Sequence, residues 1–572
     1  MNGWILIKNK KNIEGNLECF NDFEIKSNDI IIIRETDGRF YHDKVFESNE
    51  RYMVILDGVL LNLSELKKKY KAISTYELII KMYETNGSTY MHEFRGPFSG
   101  ILYDRSKDII LSYANQTGDR SAYFFENENY LITASDFSYI IDFLKINKIQ
   151  YEINPVAIKH MLTYGYMIDN TTFVNGISRI LPGQVAIYKN GSIDIIFYYK
   201  LCNTNKIECS FDDAINMIDE EFRHAVKRCF DKDLEYGFEH HLADISAGFD
   251  SRMVNVVAKD MGYKNVTNIS YSQWKSDENK YASLISKELQ NNYIHMQLDD
   301  AAIIFDIDRI IKMNGGAGYY CAITGGERLL SNINFNKFGL EHTGQLGDVV
   351  IGSFNKTAEL LPPDFNSKRN SNTLDLTFCE KNVNFHYENN ELFNMYTRGF
   401  LGCLSSHFIR KNYTYAVSPF IDVDFLTLCF KLPLAYRINH RLYVEWIRRK
   451  YPHALNIPSS RVVWTGNIID KKNFIITKGR RAISRGKSKI LYKLRIGKSK
   501  VSINQMNPYD FWYDTNPNVR SFIKKYYEEN KAFLQVDDDI KLLIDTMYKS
   551  EKALDKLIAL TVIGVNKNFI VN

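Results

Sequence analysis

Short apolar or aromatic runs recur through residues 1–205: WILIK, DIIIIR, YMVILDGVLL, FSGILYD, DIILSYA, AYFFE and YLITA. Asp-Gly, Asn-Gly and Gly-Asp pairs separate several of them, which is turn chemistry between strands. Two stretches break the β pattern, LSELKKKY and TYELIIKMYETNG, the second with apolar residues at helical spacing. Many strands with few helices predict packed sheets with helices outside.

From Phe211 the period lengthens. FDDAINMIDEEFRHAVKRCF places Phe211, Ala214, Ile218, Phe222, Ala225 and Val226 on one helical face. An apolar run, a helix-like segment (RMVNVVAKDMG), a strand (VTNISYS), a helix (SDENKYASLISKELQ) and a further strand (YIHMQLD) follow. This alternation predicts a parallel sheet with ligands at the carboxyl ends of its strands. Residues 478–572 read as a helical, lysine-rich tail.

The stretch from His241 to Arg252, HLADISAGFDSR, carries the chemistry. An apolar run ends at Ser246, Ala247 and Gly248 make a small-residue turn, and a helix begins about Asp250 and Ser251. Backbone N–H groups at a helix start point outward, and the helix dipole favours an anion there. Gly248 lets the backbone approach closely, and Ala247 adds only a methyl group. Ser246 and Ser251 can donate hydroxyl hydrogen bonds, and Asp250 can hold a hard cation such as Mg²⁺. The loop suits a polyphosphate. It is not a Walker loop, because the spacing is too short and no GK[ST] follows. The plainer reading is a strand-to-helix turn with a serine cap.

Composition narrows the classes. With 572 residues, a single core is not expected. Hydrophobic residues at 45% and charged residues at 25% are ordinary for a soluble globular chain. A net charge of +5 is too small to argue for nucleic acid, and the tyrosines and phenylalanines are too dispersed for a base-stacking platform. No apolar run reaches membrane-spanning length, and MNGWILIKNKKN lacks a signal-peptide layout. The eight cysteines form no CxxC pair, so neither zinc nor a disulfide framework is indicated, and a cytoplasmic setting is expected. His240 and His241 should face apart on a strand, which favours packing or surface over metal. Lys478 to Lys500 holds many basic and no acidic residues. The default is a solvated helix; the alternative is a docking surface for an acidic partner.

Several further blocks stand in order along the chain: GVLLNLSEL, YELIIKMYETNG, FRGPFSGILYD and SYANQTGDRSAYFF, then INPVAIKHMLTYGYMIDNTTFVNGISRILPGQVAIY. After ISAGFDSR come HTGQLGDVVIGS and the long block that begins SPFIDVDFLTLCFKLPLAYRINHRLYVEWIRRKYPHALN. Over about residues 50 to 470 this resembles the asparagine synthetase family, including its β-lactam synthetase and lasso-peptide cyclase relatives. The resemblance implies an α/β chain of two domains. Residues 1–205 would be a class II glutamine amidotransferase-like domain of Ntn-hydrolase αββα type. Residues 206–572 would be an adenine-nucleotide α-hydrolase-like ATP-pyrophosphatase domain with a helical tail. It further implies ATP and Mg²⁺ as cofactors. Ser246, Gly248, Asp250 and Ser251 would hold the pyrophosphate, and Asp348 would be the second Mg²⁺ carboxylate. Ile269 would meet adenine, and Thr343 and Gly344 the nucleotide. Asp250 and Asp348 are thus the expected catalytic and metal pair.

The chain departs from the family at informative places. The amidotransferase needs a cysteine at mature position 1; here Asn2 follows Met1, and Cys19 is the nearest thiol. YHDKVF stands where the glutamine-binding arginine is expected. The N-terminal domain is therefore expected to be a retained scaffold, probing no glutamine. Gln345 replaces a glutamate thought to deprotonate the attacking nitrogen, and an amide is not a base at neutral pH. Tyr415 and Val417 replace the family's Glu-x-Arg, and Arg461 and Lys471 only approximate its lysine. Arg252 replaces a small residue. The expected activity is ATP-dependent amide formation through an acyl-adenylate. A small-molecule or peptide carboxylate would be the acyl substrate and ammonia or an amine the nucleophile, with neither nucleic acid nor membrane as partner. A homodimer is one allowed assembly. The alternative is a nucleotide-binding scaffold.

Overall fold

The structure, a computed structural model, describes residues 3–10, 23–26, 30–322, 326–367, 369–374, 383, 386–458 and 507–570. Twelve strands come first: β1 (Gly3–Asn9), β2 (Phe23–Lys26), β3 (Ile30–Glu35), β4 (Val45–Ser48), β5 (Tyr52–Gly58), β6 (Phe98–Asp104), β7 (Ile109–Ala114), β8 (Tyr123–Glu126), β9 (Tyr130–Ala134), β10 (Ile177–Arg179), β11 (Gln184–Lys189) and β12 (Ser192–Phe197). They form two antiparallel sheets, ordered β10-β8-β9-β1-β3-β2 and β12-β11-β7-β6-β5-β4.

Period-2 alternation explains the layering. Trp4 and Leu6 of β1 point one way, onto Met53 and Ile55 of β5 and Ile101 of β6, filling the space between the sheets. Ile5 and Ile7 point the other way, under α3 (Phe137–Ile146) and α4 (Pro155–Tyr164). On the far side, Val54, Leu56 and Leu102 pack under α1 (Leu63–Tyr70) and α2 (Thr75–Asn86). The result is a four-layer αββα sandwich. The runs are near-continuously apolar because both faces of each sheet are covered.

The long α5 (Phe211–Glu235) then leads into a parallel sheet of β13 (His240–Asp244), β14 (Val266–Ser272), β15 (Asn292–Gln297), β16 (Phe338–His342) and β17 (Ala416–Val417). Ser210 opens α5 with a capping box to Asp213. The sheet order is β15-β14-β13-β16-β17, all neighbours parallel. The connections run outward in one direction from β13 to β15 and in the other from β16, so β13 and β16 flank a topological switch point. As expected from strand geometry, His240 is exposed and His241 buried. His241 Nδ1 and His342 Nε2 each lie 2.7 Å from Asp233 Oδ2 beneath the sheet.

The halves are joined by buried polar contacts. Arg39 donates to the carbonyls of Phe335, Phe338 and Gly339 at 2.6, 2.5 and 2.7 Å. Arg95 grips Asp424 with two bonds of 3.0 and 2.8 Å. Within YHDKVF, Asp43 pairs with Lys232 at 2.9 Å and Lys44 with Asp37 at 2.9 Å. The C-terminal helices Pro517–Asn530, Asp538–Lys549 and Ala553–Val565 share one apolar core with α3, α4 and α8 (Ile307–Asn314). They are packed core, while Lys478 to Lys500 lie outside the described residues. No described helix is long and apolar enough to cross a membrane.

Candidate active site

A cavity of about 420 Å³ opens at the carboxyl ends of β13, β14 and β16, within the range of about 300–1,000 Å³ usual for ligand pockets. The loop Ile245–Phe249 leaves β13 there, and α6 (Asp250–Asp260) begins at Asp250, so Asp250 and Ser251 occupy its first turn. Phe249 at the cap position offers no side-chain cap. The loop is internally braced: the Ser246 and Ser251 hydroxyls lie 2.8 Å apart, and Ser251 Oγ accepts from Ser246 N at 2.9 Å. Gly248 N donates to Ser246 Oγ at 3.1 Å, and Ala247 N to Glu278 Oε1 at 2.8 Å. Two loop amides expected to face a ligand are thus engaged within the protein.

The loop after β16 meets this turn edge to edge. A Cβ on Gly344 would come within 2.2 Å of Ser251 N, and one on Gly347 within 2.8 Å of Asp250 Cγ. Between them Leu346 adopts φ +64°, an uncommon left-handed conformation for a branched side chain. Asp348 follows, at the head of a π-helical turn, Val349–Ser353. Ser246, Gly248, Asp250, Ser251, Ile269, Gly344 and Asp348 all line the cavity. Thr343 does not appear on its wall: it is fully buried, with its N–H donated to Val417 O at 2.7 Å. Ile269 presents little surface, and its carbonyl accepts from Ile245 N at 2.9 Å.

The charges of both aspartates act on Tyr443, on the helix Arg441–Lys450. The Tyr443 hydroxyl donates to Asp250 Oδ1 at 2.8 Å. Burial, then Asp250 and Asp348, push the phenol well above its ordinary range, so it remains a donor. Gln345 is held from both sides: its Nε2 donates to Ser406 Oγ at 2.8 Å, and its Oε1 faces His407 Nε2. Behind it, His407 Nδ1 stands 3.3 Å from Asp119 of the first domain. Arg410 binds Glu341 and lies 3.5 Å from Asp244, whose carboxyl is nevertheless pushed up by burial.

Sequence reasoning missed Glu278, Tyr443 and the pocket arginines. Glu278 had a signal, an acidic residue in the first turn of α7 (Asp277–Glu288) after β14, where ligand-facing loops belong. Tyr443, Arg398 and Arg410 lie in long helical stretches without a motif. Asn2 and Cys19 lie outside the described residues, as do Arg461 and Lys471.

The glutamine amidotransferase domain family matches residues 41–199, most of the two-sheet half. A Methanocaldococcus jannaschii protein named for glutamine-hydrolysing asparagine synthetase is 23% identical over 42% of this chain and 47% of its own length. Asparagine synthetase (glutamine-hydrolysing) 2 of Bacillus subtilis is 22% identical over 44% of this chain and 35% of its own. The chain therefore spans less than half the length of either relative. Among solved structures, the glutamine phosphoribosylpyrophosphate amidotransferase of B. subtilis is similar at 9% identity and a TM-score of 0.22, over 42% of this chain and 54% of that one. Residues 41–199 therefore carry a glutamine amidotransferase-type domain within an α/β chain. The chain is similar, over less than half of its length, to curated asparagine synthetases.

Proposed function

We propose that the protein is an ATP- and Mg²⁺-dependent carbon–nitrogen ligase acting in the cytoplasm. A substrate carboxylate oxygen attacks the α-phosphorus of ATP, the bond to pyrophosphate breaks, and an acyl-adenylate forms. Ammonia or a substrate amine then attacks the acyl carbon and AMP leaves. The observation that carries this reading is the meeting of Asp250 and Asp348 on the wall of one cavity, at the sheet's switch point, where Gly344 and Gly347 let the loop after β16 pack directly on the first turn of α6. The donor set, two carboxylates beside a helix start, fits a metal-bound polyphosphate. Mg²⁺ held by the two carboxylates would neutralise charge as pyrophosphate departs. The start of α6 and the Ser246 and Ser251 hydroxyls would hold the departing group, and Glu278 braces that turn through Ala247 N.

Nitrogen is proposed to arrive as ammonia or an amine rather than from glutamine. Cys19 is the sole cysteine of the first 201 residues and stands beyond β1, not at its head. At the head of β1, a Cβ on Gly3 would lie 2.5 Å from Ser135 Oγ.

The test is pyrophosphate release from ATP and Mg²⁺ across a panel of carboxylates. Carboxylate-dependent release is expected. ATP binding without any such release would favour a nucleotide-binding scaffold, a reading to which the Gln345 amide lends support because it cannot accept the nitrogen's proton.

A further inference from the structure

A buried cation lies behind the phosphate-type loop. Arg252 stands in the first turn of α6 with its side chain almost wholly out of solvent. Its guanidinium reaches both the loop and a segment two hundred residues away in sequence. Nη2 donates to the carbonyls of Ala247 at 3.2 Å and Pro458 at 3.3 Å. Nη1 donates to those of Ala454 at 2.8 Å and Ile457 at 2.6 Å. The Phe249 ring centre lies 4.6 Å from the guanidinium carbon. Among the described residues, no carboxylate forms an ion pair with Arg252; those of Glu288 and Glu278, on α7, act on it from further off. A cation in the first turn of a helix also opposes the helix dipole. Carbonyl dipoles therefore supply most of the compensation for this buried charge.

Ala247 is held at both ends by charged groups: its N–H donates to Glu278, and its carbonyl accepts from Arg252. The segment Pro452–Pro458 has little packing of its own. It follows the helix Arg441–Lys450, whose Tyr443 bonds Asp250. Only Ala454 within it is buried, and a void of about 20 Å³ remains between the segment and the Arg252, Val256 and Leu289 side chains. Among the described residues, one further side-chain bond ties it down, from Asn456 Nδ2 to Glu288 Oε1 at 2.9 Å. Few buried apolar contacts and exposed backbone make such a segment easy to open locally. Arg252 is its main link to α6 and to the loop.

We propose that Arg252 is a positioning residue that couples the phosphate-type loop to this segment: a polyphosphate on the loop tightens the docking of Pro452–Pro458, and the docked segment strengthens polyphosphate binding. The proposal rests on the polyphosphate part of the ligase reading and not on acyl transfer. An anion at the start of α6 compensates the guanidinium across the thin loop, where a low dielectric keeps the attraction strong. That favours the arrangement in which Arg252 stands behind Ala247, and the same arrangement grips Ala454 and Ile457. One planar fork makes both sets of bonds, so each end biases the other by the same free energy. The small side chain that the family resemblance implies at this position could not reach from the loop to the segment.

The test uses the full chain with two probes, MgATP and magnesium pyrophosphate, and two readouts, calorimetric binding and amide hydrogen exchange. The reporter amides are those of Ala454 and Asn456, which donate to the Tyr451 and His453 carbonyls at 2.9 and 3.1 Å. In wild type, saturating probe is expected to slow their exchange about five- to tenfold. Arg252→Met should bind both probes more weakly by about the same factor, and its reporter amides should no longer respond. Arg252→Lys keeps the charge without the fork and should fall between the two on both readouts. Unchanged exchange in the buried helix Ala553–Val565 shows that a variant is folded; if Arg252→Met fails that check, Arg252→Lys carries the comparison. Bound probe without slowing in wild type, slowing that survives in full in the variants, or wild-type affinity in them overturns the coupling and leaves the ligase reading standing. Binding of neither probe overturns both. Slowing that depends on Arg252, with no carboxylate-dependent pyrophosphate release, upholds the coupling and refutes the ligase reading.

Discussion

The Tyr443 hydroxyl is bonded to Asp250 Oδ1 at 2.8 Å, linking the helix Arg441–Lys450 to the first turn of α6. The bond fixes one carboxylate oxygen of the proposed metal pair. Removing it with Tyr443→Phe keeps the ring, which stacks near Trp446 with centroids 5.8 Å apart. The expected stability loss is about 1 kcal/mol. The apparent affinity for MgATP is expected to fall several-fold, because Asp250 loses one of the contacts that orient its carboxylate. Calorimetric titration with MgATP beside urea unfolding separates the two effects. Unchanged affinity would mean that the bond serves packing alone.

Among the described residues Asp348 has no comparable hydrogen-bond tether, yet its charge acts on Tyr443 and Cys403. Asp348→Asn preserves shape and removes that charge. Carboxylate-dependent pyrophosphate release is expected to drop by about 100-fold or more, as about 3 kcal/mol of charge stabilisation is lost. The variant should also need more Mg²⁺ for half-maximal release. A variant with wild-type Mg²⁺ dependence would remove Asp348 from the metal pair.

Gly344 is a steric necessity of the junction between two loops. Its backbone approaches the start of α6 so closely that a methyl group would lie 2.2 Å from Ser251 N. Gly344→Ala must push the β16 loop off α6, at a cost of about 1–3 kcal/mol for overpacking. The displacement should also disturb the cavity, so both melting temperature and MgATP binding are expected to fall. A fully stable Gly344→Ala protein with normal binding would show that the loop yields without consequence.

Seven strands of the two antiparallel sheets, β1, β3 and β5 to β9, were legible from apolar or aromatic runs, several bounded by turn residues, whereas the short β2, β4 and β10 and the hairpin β11–β12 were not. The helices α2 and α5 were legible from their spacing, and α1 and α7 from their helix-like sequence; the Ser210 capping box of α5 was not read. The phosphate-type loop could be read because its small residues are adjacent in sequence. Arg398, Tyr443 and Glu278 reach the same cavity from three distant segments, and no local pattern encodes that convergence. The C-terminal helices illustrate a related gap. The sequence reads as helical and lysine-rich there, but burial of Ile558, Leu560 and Ile563 follows from a surface offered by α4 and α8 hundreds of residues earlier. The family resemblance implies Thr343 and Gly344 at the nucleotide; in the fold Thr343 is buried and Gly344 lines the cavity.

That same tertiary packing makes a pH prediction possible. His160, on α4, is completely buried; its Nδ1 lies 3.5 Å from the Ile168 N–H. Burial lowers its pKa from 6.5 to about 4. The unfolded chain therefore takes up a proton below pH 6.5 that the folded chain refuses until about pH 4. The neutral form's contribution is complete above the unfolded value and is lost as pH falls, by about 3 kcal/mol at most. His342 and His295, also lowered by burial, act in the same direction. His160→Gln replaces the ring with a side chain that does not titrate. Its unfolding free energy is expected to be lower than wild type at neutral pH, where the fitted imidazole packing is lost. It should also fall less steeply with acidification through the window between the two histidine values. Urea titrations at several pH values between those limits measure both slopes, and parallel slopes would show that His160 is not the group responsible.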